Sequence, residues 1–184
     1  DDKMALDYFL KSLTLSKKTG DVNEEARCYE RIGIIYSRKH DLDKALKYFF
    51  AALRICEKTE NDIHKANILG NIGNLYKDKW STVFETSDQK AILADSALQY
   101  YFKSLKLSQE MGDENNIETQ FGNIGTVYAL LKKYRPAREF INKASALSLK
   151  MGDKQGCKVN YFNLSYIDSA EGNYKSAIEN YKLY

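Results

Sequence analysis

One proline, one tryptophan, two histidines and three cysteines are all that this chain of 184 residues holds of the types that most often interrupt or decorate a fold. With one proline and ten glycines there is little to break helices, which argues for a soluble, mostly helical chain. It has no apolar run of about 18 residues, the length a membrane-crossing helix needs. Cys28, Cys56 and Cys157 are odd in number and far apart, which suits neither a disulfide framework nor a zinc ligand set. They read as thiols packed between helices and favour a reducing, cytoplasmic compartment, with a periplasmic sensor domain as the alternative. Charge of one sign is also lacking: 28 basic against 25 acidic residues give a net +3, well short of what phosphate neutralisation demands, so nucleic acid is disfavoured. His40 and His64 have neither an H-E-x-x-H partner nor a nearby nucleophile pattern. No catalytic residue, metal site or cofactor is therefore expected.

What the chain does have is a period. The segments beginning at Ala5, Ala45, Ala97, Ala137 and Ala177 repeat one another at steps of 40, 52, 40 and 40 residues. Between them recur YERIGIIY from Tyr29, LGNIGNLY from Leu69, FGNIGTVY from Phe121 and YFNLSYID from Tyr161. Each unit therefore predicts two helices. In the first helix, Tyr29, Ile32, Gly33 and Tyr36 share one stripe at about 100° per residue, the spacing of a buried face. Gly33, Gly73, Gly125 and Ser165 remove bulk where two helices must approach. Gly20, Gly112 and Gly152 suit left-handed helix ends, and Asp21, Asp113 and Asp153 suit the N-caps that follow. Glu60-Asn61 replaces Gly-Asp in the second unit, so that cap must differ.

Leu69, Ile72-Gly73 and Tyr76 in one helix, with Ala45, Phe49 and Ala52 in the other, resemble the tetratricopeptide repeat family. The period of 40 is longer than the family's commoner length. It is similar to the long-unit branch, which includes kinesin light chains, Rap-type regulators and arrays attached to bacterial sensor kinases and helix-turn-helix regulators. The resemblance implies an all-α, right-handed α-solenoid of antiparallel helix pairs, about nine helices in all. The expected organisation is a single array: residues 3–21 as the second helix of a truncated repeat, repeats at 22–61, 62–113 and 114–153, and a truncated repeat at 154–184. Opening and closing inside a second helix, the sequence reads as a fragment of a longer protein, with self-association through exposed repeat ends as a consequence.

The stripe opposite the core face runs Arg27, Arg31, Ile34, Arg38, then Asn67, Asn71, Asn74, Asp78, then Thr119, Asn123, Thr126, Leu130, then Val159, Asn163, Tyr166, Ala170. Three of its four central positions, Asn71, Asn123 and Asn163, are asparagine, a poorer helix former than Glu or Lys. Amides offer donor and acceptor together and can pair with an extended peptide. In the resembled branch, matching asparagines on the concave face contact peptide ligands. Alternatively the amides bond neighbouring helices and stiffen the array. Arg27, Arg31 and Arg38 predict either an electropositive groove end that favours an acidic segment, or local pairing with Glu24 or Glu30. Phe162 and Tyr166 read as an apolar anchor or as packing beneath further repeats. The sequon-like Asn163-Leu-Ser165 lies within a helix and is taken as coincidence.

These residues point to a non-catalytic protein–protein interaction scaffold. It is expected to bind a peptide or protein segment on the concave face, as part of a larger regulatory protein. The alternative is a sensor or dimerisation module of a bacterial histidine kinase or transcriptional regulator, without a peptide ligand. The step of 52 adds 12 residues to one unit, around Trp80. Spacing predicts that both arms of that hairpin lengthen, with Thr86 and Gln89 capping the second arm, Trp80 packed against Ala91 or Ala94 or else exposed for docking, and Phe84 near the tip.

Overall fold

The computed structural model describes residues 2–82 and 87–183, and among them it contains nine α-helices and no strand. The chain divides into two compact units, residues 1–104 and 105–184. The first holds α1 (Asp2–Thr19), α2 (Val22–Arg38), α3 (Leu42–Thr59), α4 (Asp62–Thr82) and the start of α5 (Ser87–Met111). The second holds the end of α5, then α6 (Glu114–Leu130), α7 (Tyr134–Met151), α8 (Lys154–Ala170) and α9 (Tyr174–Leu183). In the first unit α1 packs on α2, α2 on α3 and α3 on α4, and in the second α6 packs on α7, α7 on α8 and α8 on α9; alternate helices also touch, α2 with α4 and α6 with α8.

The helix ends follow from local chemistry. Asp21, Asp113 and Asp153 accept backbone N–H bonds from Glu24, Asn116 and Gln155, satisfying donors that a helix start leaves orphaned. Gly20, Gly112 and Gly152 all hold φ near +70° (73°, 70° and 69°). In the second unit of the repeat, Glu60 takes up the same left-handed conformation without being glycine (φ 52°), and Asn61 Oδ1 caps α4 through the His64 N–H at 3.2 Å.

The core is built by one pairing repeated along the chain. Cβ atoms on Gly33, Gly73 and Gly125 would lie 3.0 Å from the Phe49 ring, 2.6 Å from the Tyr101 ring and 2.5 Å from Ile141 Cγ1. In each case the missing side chain lets the partner residue four places after the repeat's alanine lie against the helix backbone. Phe49, Tyr101 and Ile141 are accordingly at most 1% exposed. A second recurring pair stacks aromatic rings: Tyr36 on Tyr48, Tyr76 on Tyr100, and Tyr128 on Phe140, with centroids 5.5, 5.5 and 5.8 Å apart.

The enlarged repeat contains the longest described helices, α4 with 21 residues and α5 with 25. Trp80 is half-buried, with the Lys90 ammonium 5.1 Å above its ring. Its Nε1 is buried without a hydrogen-bond partner. Ala94 is buried and Ala91 exposed, so of the two alanines only Ala94 faces the helix seam. The expected turn, the Thr86 cap and the Phe84 tip fall on residues outside the described ones, as does Val83.

Candidate functional site

In the first unit the stripe lies on α2 and α4, and most of its polar groups are engaged locally. Glu30, 8% exposed, is the centre. Asn71 Nδ2 donates to Glu30 Oε1 at 3.4 Å, and His64 Nε2 lies 3.6 Å from Glu30 Oε2, so α4 grips α2 through one buried carboxylate. Burial pushes the Glu30 carboxyl above its usual range, an effect opposed by His64, then Arg31 and Arg27. The same burial raises the nearby Cys56 thiol to about 11, with the Glu30 charge adding to it. Asn74 accepts a 2.7 Å bond from the Tyr101 hydroxyl, while Asn67 stays exposed. Arg27 pairs with Glu24 at 3.7 Å and Arg38 with Asp2 at 2.9 Å, both at exposed positions where such pairs are weak. Arg31 is exposed on the same face.

The second unit is different. Thr119, Asn123, Thr126 and Asn163 come together in one open cavity of about 280 Å³ between α6 and α8. Thr119 and Thr126 donate their hydroxyl protons to the carbonyls of Asn115 and Gly122, so their oxygens remain as acceptors. Asn163 Nδ2 reaches Thr126 Oγ1 only at 3.5 Å. The Asn123 side chain makes no hydrogen bond among the described residues. Tyr166 does not share this cavity. With Phe162, Tyr174, Ile178 and Tyr181 it lines an apolar hollow of about 520 Å³ between α8 and α9.

Four residues that the stripe did not single out shape the α6/α8 cavity. Glu118 stands where the other first helices carry Ala26, Ala66 and Lys158, and Asn160 where they carry Cys28, Ile68 and Gln120. In both columns the switch from apolar residues in the first two helices to polar ones in the last two was the available signal. The Ser148 hydroxyl donates to Glu118 Oε1 at 2.7 Å, and Asn160 Nδ2 donates to the same oxygen and to Ser148 Oγ, each at 3.1 Å. Gly156 permits this junction. A Cβ there would sit 2.5 Å from Asp153 Oδ2, 2.7 Å from Ser148 Oγ and 3.1 Å from Glu118 Oε1.

Paired helices with a polar face on alternate members define a helical-repeat scaffold. The tetratricopeptide repeat profile matches residues 1–58. No curated protein matches the chain in sequence. Among solved structures the chain is similar to BtubC (BKLC) from P. vanneervenii, with 19% identity, 98% of this chain and 70% of that one covered, and a TM-score of 0.82. It is also similar to the apo form of RapI (20% identity, 96% and 46% covered, TM-score 0.78) and to pilF of Pseudomonas aeruginosa (16%, 99% and 76%, 0.63). At these identities the likeness is one of fold: the chain has an all-α, tetratricopeptide-type repeat fold. No described helix is long and apolar enough to cross a membrane.

Proposed function

We propose that this chain is a protein-interaction module of a larger regulatory protein, and that it captures an extended peptide segment on the α6/α8 face. The supporting observation is the cavity that gathers Thr119, Asn123, Thr126 and Asn163 while leaving the Asn123 amide uncommitted. An uncommitted amide on a half-buried wall supplies one donor and one acceptor at the spacing of backbone groups. The α2/α4 face takes a supporting part: Asn71 is tied to buried Glu30, which suits stiffening of the repeat, whereas Arg31 is available to an acidic group.

Asn123→Ala is the direct test. Binding partners captured by the wild-type chain should be lost, while the urea midpoint stays within error, because no bond within the fold is removed. Unchanged capture would sink the groove reading and leave the sensor or dimerisation module in its place. Asn71→Ala is the contrast, since it strips a donor from Glu30 and should lower stability.

A further inference from the structure

We propose that the α6/α8 cavity reads a basic side chain, an arginine in preference to a lysine, presented by an extended peptide; this rests on the peptide-capture reading above. The cavity wall carries two carboxylates, Glu118 and Asp153, and among the described residues no lysine or arginine lines it. Glu118 is held in place before any ligand arrives. Its Oε1 already accepts from Ser148 and Asn160, which fixes the carboxylate plane. Its Oε2 accepts nothing among the described residues.

A second, independent feature points the same way. Asn160 is 1% exposed, and both of its recorded bonds use Nδ2. Its Oδ1 therefore has no donor among the described residues, yet it lies on the cavity wall, 3.6 Å from where a Cβ on Gly122 would be. An amide oxygen that faces the cavity without a protein donor is open to a bound N–H. An anchored carboxylate and an amide oxygen without a protein donor at one mouth are both acceptors. The occupant that meets both must bring several donors and a positive charge. Guanidinium does so with a planar fork, and ammonium does so with fewer geometric constraints. A carboxylate or phosphate ligand would instead face two like charges.

The test presents fully randomised octapeptides to the whole chain and sequences those retained. Retained peptides should be enriched in arginine, and less so in lysine, at one position. For an enriched peptide, Glu118→Gln should weaken binding by about tenfold, a difference of ~1.4 kcal/mol. Replacing that arginine with citrulline should cost as much and abolish the difference between wild type and Glu118→Gln. Val159→Lys is the second variant. Val159 lines the cavity yet is 46% exposed, so a lysine there tethers an ammonium at the mouth without disturbing the core. It should erase the arginine preference at unchanged thermal stability. Peptides retained without basic enrichment, or enrichment untouched by both variants, overturn the basic-reader proposal and leave peptide capture standing. No retention of any peptide overturns both. Nα-acetyl-argininamide binding as tightly as the best peptide assigns the cavity to a free guanidinium compound and overturns the peptide source.

Discussion

Asp168 accepts a 2.7 Å hydrogen bond from Asn180, and these two residues occupy the positions at which the three preceding hairpins stack aromatic rings. The substitution is paired, one polar residue for each ring. It is also reinforced, because Arg138 Nη2 reaches Asp168 at 2.7 Å and Glu171 at 2.6 Å. Asp168 is 2% exposed, and its two carboxylate oxygens are met by one partner each, Oδ1 by Arg138 and Oδ2 by Asn180.

Arg138→Ala should therefore destabilise the second unit by about 3–5 kcal/mol, the usual consequence of stranding one member of a buried ion pair. Urea denaturation measures it. Asp168→Tyr and Asn180→Tyr should each destabilise alone. In the double variant on an Arg138→Met background the restored ring pair should return about 0.5–1.5 kcal/mol of coupling.

The three close glycines make a graded prediction. Alanine improves helix propensity by up to ~1 kcal/mol at each. At Gly33 the new Cβ meets the Phe49 ring at 3.0 Å, and a small ring shift accommodates it. At Gly73 it meets the Tyr101 ring at 2.6 Å, and at Gly125 it meets Ile141 at 2.5 Å with the Ala137 carbonyl at 3.1 Å. Gly33→Ala should be near neutral in thermal midpoint, whereas Gly73→Ala and Gly125→Ala should lose about 1–3 kcal/mol. Equal effects at all three would remove the steric account.

Most of the helical architecture was legible because each signal occurs several times. The Gly-Asp junctions, the small residue at Gly33, Gly73 and Gly125, and the ring columns recur at one period, so an ambiguous copy is settled by its neighbours. The site was less legible. The opposite-face stripe located Asn123 and Asn163, but periodicity cannot tell an amide open to a ligand from one consumed by the fold. Asn71 turns to Glu30, and Asn74 to Tyr101, through contacts 41 and 27 residues away in sequence. Glu118 and Asn160 were overlooked because they lie outside the opposite-face stripe, in columns that turn from apolar to polar only in the last two repeats.

Glu60 offers a stabilising change. It holds φ 52° at a helix end where three equivalent positions carry glycine. A left-handed residue with a Cβ costs about 1–2 kcal/mol, part of which glycine gives back through unfolded-chain entropy. Glu60→Gly should raise stability by several tenths to ~1 kcal/mol, read as a higher melting temperature. A lower melting temperature would mean that the Glu60 side chain supplies more than its backbone strain removes.

The buried carboxyl of Glu30 makes stability depend on pH with a definite sign. Burial raises its folded-state value, so the folded protein binds this proton more tightly than the unfolded chain. The resulting stabilisation is fully present below the unfolded carboxylate value of about 4.3 and is lost as pH rises through the folded value. Glu30→Gln removes the titration but keeps an acceptor for Asn71. The stability of Glu30→Gln relative to wild type should therefore climb in urea titrations as pH rises above about 4. Positive charge from His64, Arg31 and Arg27 opposes the shift. His64→Asn in the wild-type background should consequently make the climb steeper. A flat or falling difference would show that this charge outweighs desolvation at Glu30.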